Sequence, residues 1–406
     1  MKYILVYIND SLGELDWIAP YMKSEEARIF QFYIYLNGPG KDYREKRDIL
    51  FRYGLTEHEN IHCLNRPVKR ERLLFEADTL INRVLGRIKL LSFRLFEIGR
   101  KSADLLREGV ALLPLVESPV TFDLIFRDYN LKESMGLSCL IRQNSEAKIV
   151  IYPHAIGLQR LHPMCPREPI KKVRADLWLE NSDYSDQAKK DPYYQKLFYP
   201  CGVPAFDINS RLAPLFHAGS KRVIVITRDC SLTFGFTYET AMDAFRKLLE
   251  QLVQNGYEVH IKHHPRDRKV DIWREIHKPI SGCFEIEGSL SIISGEWCAC
   301  FTLFSTAPLF LLSRGVPVFE FSPYRQYDAY GREFPVHYKD RDGNLTHDLL
   351  DMGIFCRIGH GEDINGYLTE EKLLEVVRQE TEAYREVFPS GANAKISQKL
   401  KVLTDG

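Results

Sequence analysis

Short apolar runs alternate along the chain with longer segments in which apolar residues recur at helical spacing. In the first half, the short runs predict strands at residues 3–8, 29–35, 122–126, 148–152 and 176–179, with a helical block near residues 70–107. The second half restarts the alternation, with strands predicted at residues 222–227, 257–262, 297–302 and 316–321 and helices at residues 238–255, 305–314 and 369–386. Residues 263–287 are predicted to be irregular. Strands that are apolar throughout are typical of parallel sheets covered on both faces, so the pattern predicts an α/β protein with two doubly wound sheets.

Pro, Gly and polar residues cluster between Gly202 and Lys221, which marks a boundary between the two halves. We predict a Rossmann-like acceptor-binding domain at residues 1–210, a Rossmann-like donor-binding domain at residues 211–385 and a C-terminal tail at residues 386–406. The length of 406 residues is sufficient for two such domains. Because ligands of open α/β sheets bind at the carboxyl ends of the strands, the expected site is a cleft between the facing domains.

Composition narrows the class of partner. Lys and Arg together number 55, as do Asp and Glu, so the chain has no overall positive field to favour nucleic acid. The nine cysteines are scattered without a CxxC pair, which predicts free thiols in a reducing compartment. The apolar N-terminal run is one strand long, too short for a signal peptide, and no run approaches the ~20 apolar residues of a membrane span. We therefore expect a cytoplasmic protein.

Residues 66–107 form a basic segment with 11 Lys or Arg and 5 Asp or Glu, a net charge of +6 (11 − 5). Apolar residues recur in it at helical spacing. One interpretation is peripheral contact with the inner face of the cell membrane or with an anionic acceptor. The other, which we favour, is an amphipathic helix pair that packs on its own sheet and turns its charges to water.

The run His263-His264-Pro265 follows a predicted strand and is the first candidate for phosphate binding. Its position at a strand's carboxyl end is where a ligand of such a sheet lies. Pro265 fixes the backbone and biases His264 away from helix, so the imidazole is held where it can donate to a phosphate oxygen. The alternative is a surface loop with two solvated histidines.

Ser305 and Thr306 follow the next predicted strand, at the start of a predicted helix. Two hydroxyls and the free N–H groups of a helix N-terminus suit one phosphate, although such residues more often serve only as a cap. Thr227 and Arg228, at the end of the first strand of the second domain, are further phosphate contacts.

Two more predicted contacts concern the rest of the nucleotide. Glu287 and Gly288 are placed to line a base pocket through backbone groups. Glu320 is placed to accept hydrogen bonds from ribose hydroxyls, and the alternative for this residue is a plain surface carboxylate.

The second half resembles the donor domain of bacterial GT-B transferases that use CMP-sugars, namely sialyltransferases, capsular polysialyltransferases and Kdo transferases. His264-Pro265 and Ser305-Thr306 match the His-Pro and Ser-Ser/Thr motifs of the sialyltransferases, both of which address the nucleotide phosphate. The segment Gly202-Val203-Pro204-Ala205-Phe206-Asp207 is similar to a Gly-x-Pro-x-x-Asp segment that ends the first domain in several of these families. The resemblance covers residues 148–325 and implies a GT-B fold.

The chain departs from the sialyltransferases at the first-domain acidic motif that supplies their catalytic base. The corresponding segment contains no acidic residue and carries His154, which is more similar to the His-Gly segment of CDP-glycerol glycerophosphotransferases. A neutral imidazole with a pKa near ~6.5 suits deprotonation of an acceptor hydroxyl. His154 is thus the candidate base, with a structural residue as the alternative. Asp10 and Asp16 are fallback candidates on the acceptor side.

Together with these residues, the resemblance implies an inverting, metal-independent glycosyltransferase of bacterial surface polysaccharide synthesis (capsule, O-antigen or lipooligosaccharide). Its donor would be a CMP-activated nonulosonic acid or Kdo, its acceptor an oligosaccharide or glycolipid, and it would need no cofactor. His154 and His264 are the predicted catalytic residues. The alternatives are a CDP-polyol phosphotransferase, a UDP-sugar transferase or UDP-HexNAc 2-epimerase-like protein, and a non-catalytic capsule-assembly protein. The sequence offers no evident set of acidic residues that an epimerase would need around its sugar.

Overall fold

The computed structural model describes most of both predicted domains. The described residues are 1–8, 12–37, 47–48, 50–64, 80–81, 83–85, 87, 120–129, 135–154, 156, 174–184, 189, 191–228, 236–264, 267, 269–287, 290, 293–324, 338–339, 345–359 and 362–405. The seven cysteines among them are free thiols.

The first sheet has seven strands, all parallel to their neighbours, in the order β3-β2-β1-β4-β5-β6-β7. The strands are β1 Lys2–Ile8, β2 Phe30–Leu36, β3 Ile61–Cys63, β4 Leu124–Asp128, β5 Lys148–Tyr152, β6 Leu177–Glu180 and β7 Phe198–Pro200. The helices are α1 Leu12–Met22, α2 Met135–Gln143, α3 Pro192–Gln195 and α4 Pro204–Asn209, with a 3₁₀ turn at Glu25–Ala27. The strand order reverses between β1 and β4, where ligands of such sheets bind.

The second sheet has six parallel strands in the order β10-β9-β8-β11-β12-β15, and its order reverses between β8 and β11. Its strands are β8 Arg222–Ile226, β9 Glu258–Lys262, β10 Cys283–Glu285, β11 Ala299–Thr302, β12 Val318–Glu320 and β15 Cys356–Arg357, and β13 Tyr338–Lys339 pairs with β14 Leu345–Thr346 in a separate hairpin. The helices are α5 Tyr238–Gln254, α6 Val270–His277, α7 Leu309–Leu312, α8 Asp348–Asp351, α9 Glu370–Val387 and α10 Ala392–Asp405, with a 3₁₀ turn at Ile364–Gly366.

The predicted α/β class with two doubly wound parallel sheets is confirmed, but three local predictions are wrong. Residues 263–287 are not irregular, because they contain α6 and β10. The helix predicted at residues 305–314 covers only Leu309–Leu312. The strand predicted at 122–126 ends two residues later, at Asp128. Of the helical block near 70–107, only residues 80–81, 83–85 and 87 are described, and they are helical.

One apolar cluster continues from the first sheet into the second, so the two halves share buried surface. An aromatic contact lies at the junction. Phe206 on α4 packs against Phe310 on α7, Tyr384 on α9 and Phe388, with ring centroids 6.4, 5.1 and 5.5 Å away. Rings at these separations bury large apolar areas and hold their helices in fixed relation.

The segment Gly202–Asp207, singled out in the sequence, anchors α10 to the first domain. The Asp207 carboxylate accepts hydrogen bonds from the backbone N–H groups of Gly391 and Asn393, at 2.9 and 2.8 Å. It therefore caps the start of α10 from another helix. Gly202 has φ of 96°, and a Cβ atom there would lie 2.2 Å from the carbonyl oxygen of Pro389. Only glycine fits both the backbone angle and the contact.

At its far end α10 reaches back to β1. Tyr21 on α1 contacts Ser397 through their hydroxyls at 3.0 Å, and Nζ of Lys2 donates to the carbonyl oxygen of Thr404 at 2.9 Å. The residues predicted as a tail, 386–406, thus include a helix that lies against the first domain.

We expect Asp207→Ala to destabilise the protein by about 1–2 kcal/mol, because it removes the cap of α10 and leaves two backbone donors without their acceptor. Urea unfolding followed by circular dichroism measures the change. The control is Asp405→Ala, at the other end of the same helix, where 69% of the side chain is exposed. Equal midpoints for the two variants would contradict the assigned role.

Candidate active site

His154 lies just beyond the carboxyl end of β5 and pairs with Asp128, the last residue of β4. The two strands are parallel neighbours, which brings their ends together. Nδ1 of His154 lies 2.8 Å from Oδ2 of Asp128, and the side chains are 17% and 5% exposed. Because a carboxylate accepts, Nδ1 donates to Asp128, and in the neutral imidazole Nε2 is then the nitrogen with the lone pair. Tyr129 packs edge-on against the imidazole, with ring centroids 5.8 Å apart. The imidazole is therefore held by Asp128 and Tyr129, and the role of His154 as a base stays a prediction.

A second carboxylate, that of Glu14 on α1, lies behind this pair. Its Oε1 atom is 3.9 Å from Nδ1 of His154, and its side chain is fully buried. Burial, and then the charges of Glu14 and Asp128, raise the pKa of the neighbouring Tyr152 hydroxyl well above its ordinary value. Trp17 stacks on Tyr152 with ring centroids 5.7 Å apart. The aromatic layer shields the carboxylates from water, which strengthens their electrostatic action on the imidazole.

Asp16 and Lys262 interact between the two carboxyl edges. Asp16 lies on α1, and Lys262 is the last residue of β9. Burial raises the pKa of Asp16 to about 6, against the opposing effects of a hydrogen bond from Tyr53 and the charge of Lys262. Burial lowers the pKa of Lys262, against the attraction of Asp16 and Glu287. The structure thus places Asp16 opposite the second sheet, and its role as a base stays a prediction.

Arg228 meets the loop after β11 at the switch point of the second sheet. Its Nη1 donates to the carbonyl oxygen of Phe304, and its guanidinium carbon lies 5.3 Å from the centre of that ring. Phe304 has φ of 28°, a conformation that bulky residues rarely adopt. Backbone strain of this kind clusters at ligand sites. The Arg228 guanidinium therefore lies beside Phe304, the residue that precedes Ser305, and its contact with a phosphate stays a prediction.

Ser305 and Thr306 do not cap a helix, so that expectation is wrong. The chain after β11 first forms a turn, and α7 begins only at Leu309. The Ser305 hydroxyl accepts from the backbone N–H of Ala307 at 3.3 Å, and the residue is 6% exposed. Any contact of these two hydroxyls with a phosphate stays a prediction.

The two histidines after β9 have different surroundings. Nδ1 of His263 lies 2.9 Å from Oγ1 of Thr227, a residue that is fully buried. Thr227 therefore supports a neighbouring side chain at the predicted donor site. His264 is half-buried, and its carbonyl oxygen accepts from the backbone N–H of Asp267 at 3.0 Å. Its phosphate contact stays a prediction, and Pro265 lies outside the described residues.

Glu320 is the last residue of β12 and is 1% exposed, so the alternative of a surface carboxylate is wrong. Its carboxylate accepts from the hydroxyl of Tyr324 and pairs with Nε2 of His347. Its contact with ribose stays a prediction. Glu287 is exposed after β10, and Gly288 lies outside the described residues.

Two other predictions concern residues that the structure does not describe. Asp10 is one, and the basic segment 66–107 is the other, apart from the few helical residues named above. Across the described residues, no helix combines the length and apolar character needed to cross a membrane.

Asp128 and Glu14 were not among the residues predicted from the sequence. A signal for Asp128 existed, because an acidic residue at the end of a buried strand is a ligand candidate. The predicted strand stopped two residues early, which placed Asp128 in a loop. Glu14 lies in a stretch predicted as loop between Asp10 and Asp16, and its burial follows from α1, which was not predicted.

We expect Asp16→Asn to stabilise the protein near neutral pH. The folded-state pKa of about 6 lies above the ordinary value of 3.8, so ionised Asp16 costs stability as the pH rises through this interval. Asparagine still accepts from Tyr53 and carries no charge. We expect a gain on the order of 1 kcal/mol at about pH 8 that shrinks towards about pH 4.

Urea unfolding across this pH range measures the effect. The control is Asp183→Asn, whose side chain is 71% exposed. A gain for Asp16→Asn that did not change with pH would contradict the burial of its charge.

Comparison with known proteins shows likeness in structure alone. No family model matches the chain, and no curated protein matches its sequence. The S. aureus MnaA–UDP co-structure is similar, with 13% identity and a TM-score of 0.55 over 100% of this chain and 97% of that one. A UDP-N-acetylglucosamine 2-epimerase is similar with 12% identity and a TM-score of 0.53, over 98% of this chain and 95% of that one. The structure of LpCGTa in complex with UDP is similar with 11% identity and a TM-score of 0.53, over 100% of this chain and 99% of that one. The expected GT-B fold, two Rossmann-like domains with parallel sheets, is confirmed.

Proposed function

We propose that the protein is an inverting glycosyltransferase that uses a nucleotide-sugar donor. The observation that carries the proposal is the Asp128–His154 pair. It combines an imidazole of fixed tautomer with a buried carboxylate at the carboxyl edge of the first sheet. The cationic groups Arg228 and Lys262 lie at the carboxyl edge of the second sheet. A base on one side and positive charge on the other are what transfer from a nucleotide to a hydroxyl requires.

The proposed step is a single displacement. The acceptor hydroxyl oxygen attacks the anomeric carbon and gives its proton to Nε2 of His154, while Asp128 stabilises the resulting imidazolium through Nδ1. The bond from the anomeric carbon to the nucleotide phosphate breaks on the opposite face, and the leaving phosphate takes the electron pair. Arg228 and His264 neutralise the developing negative charge, so this step is assigned no metal. The configuration at the anomeric carbon inverts.

For the donor we propose a CMP-activated 2-keto sugar, a nonulosonic acid or Kdo, destined for a bacterial surface polysaccharide. The support is the match of His264-Pro265 and Ser305-Thr306 to the two sequence motifs, together with the positions of His264 and Ser305 after β9 and β11, two strands that both neighbour β8. A CDP-polyol donor would engage the same residues, with His154 again as the base. Donor and product analysis separates the two.

A second candidate is a nucleotide-sugar 2-epimerase. The observation that favours it is the acidic pair Glu14 and Asp128 beside His154, since an epimerase needs acidic residues around its sugar. One of the structures to which this chain is similar is that of a UDP-N-acetylglucosamine 2-epimerase. Such an enzyme would change UDP-N-acetylglucosamine without any acceptor, which a transferase would not do.

We expect His154→Ala to lower kcat about 100-fold or more, because a positioned base contributes about 10²–10⁴-fold. Asp128→Asn should lower kcat by a comparable factor with little change in KM, because it misorients the imidazole. The matched control is Asp123→Asn, since Asp123 directly precedes β4 at its amino end and accepts from the backbone N–H of Tyr3. Steady-state kinetics with radiolabelled donor measure all three. Transfer that survived both His154→Ala and Asp128→Asn would refute the assignment.

A nucleotide panel tests the donor class. We expect CMP to raise the melting temperature more than CDP, UDP or GDP, because a ligand at about 100 times its Kd stabilises the folded state by about 2.7 kcal/mol. His264→Ala should weaken this binding about tenfold, as loss of one charge-assisted hydrogen bond predicts. Preference for UDP, with epimerised sugar formed in the absence of acceptor, would favour the second candidate. No response to any nucleotide would leave only a non-catalytic role.

A further inference from the structure

His263, His277 and Glu285 meet beyond the carboxyl ends of β9 and β10, apart from the Asp128–His154 pair. His263 directly follows β9, Glu285 ends β10, and His277 ends α6. Oε1 of Glu285 lies 3.4 Å from Nε2 of His277 and 3.8 Å from Nε2 of His263. All three ligand atoms lie within 4.8 Å of one another. The three side chains thus converge on one point from three elements.

The distances do not fit hydrogen bonds but do fit a shared metal ion. A hydrogen bond to a carboxylate oxygen is about 2.7–3.2 Å long. Four ligands at the Zn–N distance of about 2.0–2.1 Å, arranged as a tetrahedron, are separated by about 3.4 Å. The observed separations of 3.4 and 3.8 Å are close to that edge. The ring centroids of the two histidines are 5.4 Å apart, which suits two imidazoles on one ion.

Both histidines present a buried nitrogen that is otherwise unsatisfied. Nε2 of His263 and Nε2 of His277 have no hydrogen-bond partner among the described residues, although both atoms are almost inaccessible to solvent. Only 10% and 4% of the two side chains are exposed. A buried polar atom without a partner costs about 1–3 kcal/mol. A cation between these nitrogens would satisfy both.

The surrounding contacts hold the ligand atoms in place. The hydroxyl of Thr227 lies 2.9 Å from Nδ1 of His263. This is the outer-shell contact that leaves Nε2 free to bind a metal. Arg274 donates to both oxygens of Glu285, with Nε at 3.0 Å from Oε1 and Nη2 at 3.1 Å from Oε2.

We propose that His263, His277 and Glu285 bind one Zn²⁺, with water as the fourth ligand. Two imidazoles and a carboxylate are a donor set that suits this ion. The ion would tie α6 and β10 to the loop after β9, and so fix the backbone from which His264 projects. The transfer step proposed above does not pass through it, so the two proposals stand or fall separately.

The test is Zn²⁺ binding by the full chain after treatment with a chelator. We expect isothermal titration with ZnCl₂ to give one equivalent per chain and a raised melting temperature. Co²⁺ should give the visible absorption of a four-coordinate site. His277→Ala should weaken Zn²⁺ binding more than about 100-fold, and Thr227→Val about tenfold, since loss of an outer-shell partner alone costs about 10–100-fold.

Glu285→Gln tests the site without disturbing the interior, because that side chain is 30% exposed. It should also lose at least about tenfold in affinity. Two controls should leave binding unchanged. His217→Ala changes an exposed histidine. His154→Ala changes the other group of described side chains with suitable geometry, Glu14, Asp128 and His154. Wild-type protein that takes up no Zn²⁺, or binding that survives both His277→Ala and Glu285→Gln, would overturn the proposal, as would binding lost only in His154→Ala.

Discussion

The Asp207 carboxylate fixes the relation between the two halves of the molecule. It holds the start of α10 while the rest of that helix lies along the first domain, and the preceding α9 belongs to the second sheet. The chain therefore crosses back to where it began. Gly202 lets the returning segment approach closely enough for the contact to form.

The fold was predictable because the signals for it are local and repeated. The continuous apolar runs of β1, β5 and β8 predict buried parallel strands, and the structure has them. Helix α5 begins and ends within one residue of its predicted bounds. Short elements were missed for the opposite reason. β10 has three residues and α6 has eight, so their periodicity is too brief to stand out from a loop.

The candidate site was only half predictable. His154 was identified from its place after a strand, but its partners come from segments 26 and 140 residues earlier, Asp128 and Glu14. Pairing of that kind depends on which strands are neighbours, and sequence spacing does not reveal strand order. The expected helix cap at Ser305 failed because the chain forms a turn after Phe304, which has a positive φ, and α7 begins only at Leu309. Arg228, which donates to the carbonyl oxygen of Phe304, comes from the end of another strand, and sequence spacing does not reveal that contact.

The charge of Lys262 acts on Asp16, which links protonation of the first domain to the charge of the second. Burial lowers the pKa of Lys262, and the charge of Lys262 lowers the pKa of Asp16. Any anion that draws this ammonium to itself removes that effect, so Asp16 takes up a proton more readily. An anion bound near Lys262 would therefore favour protonation of Asp16, and the two equilibria would be linked.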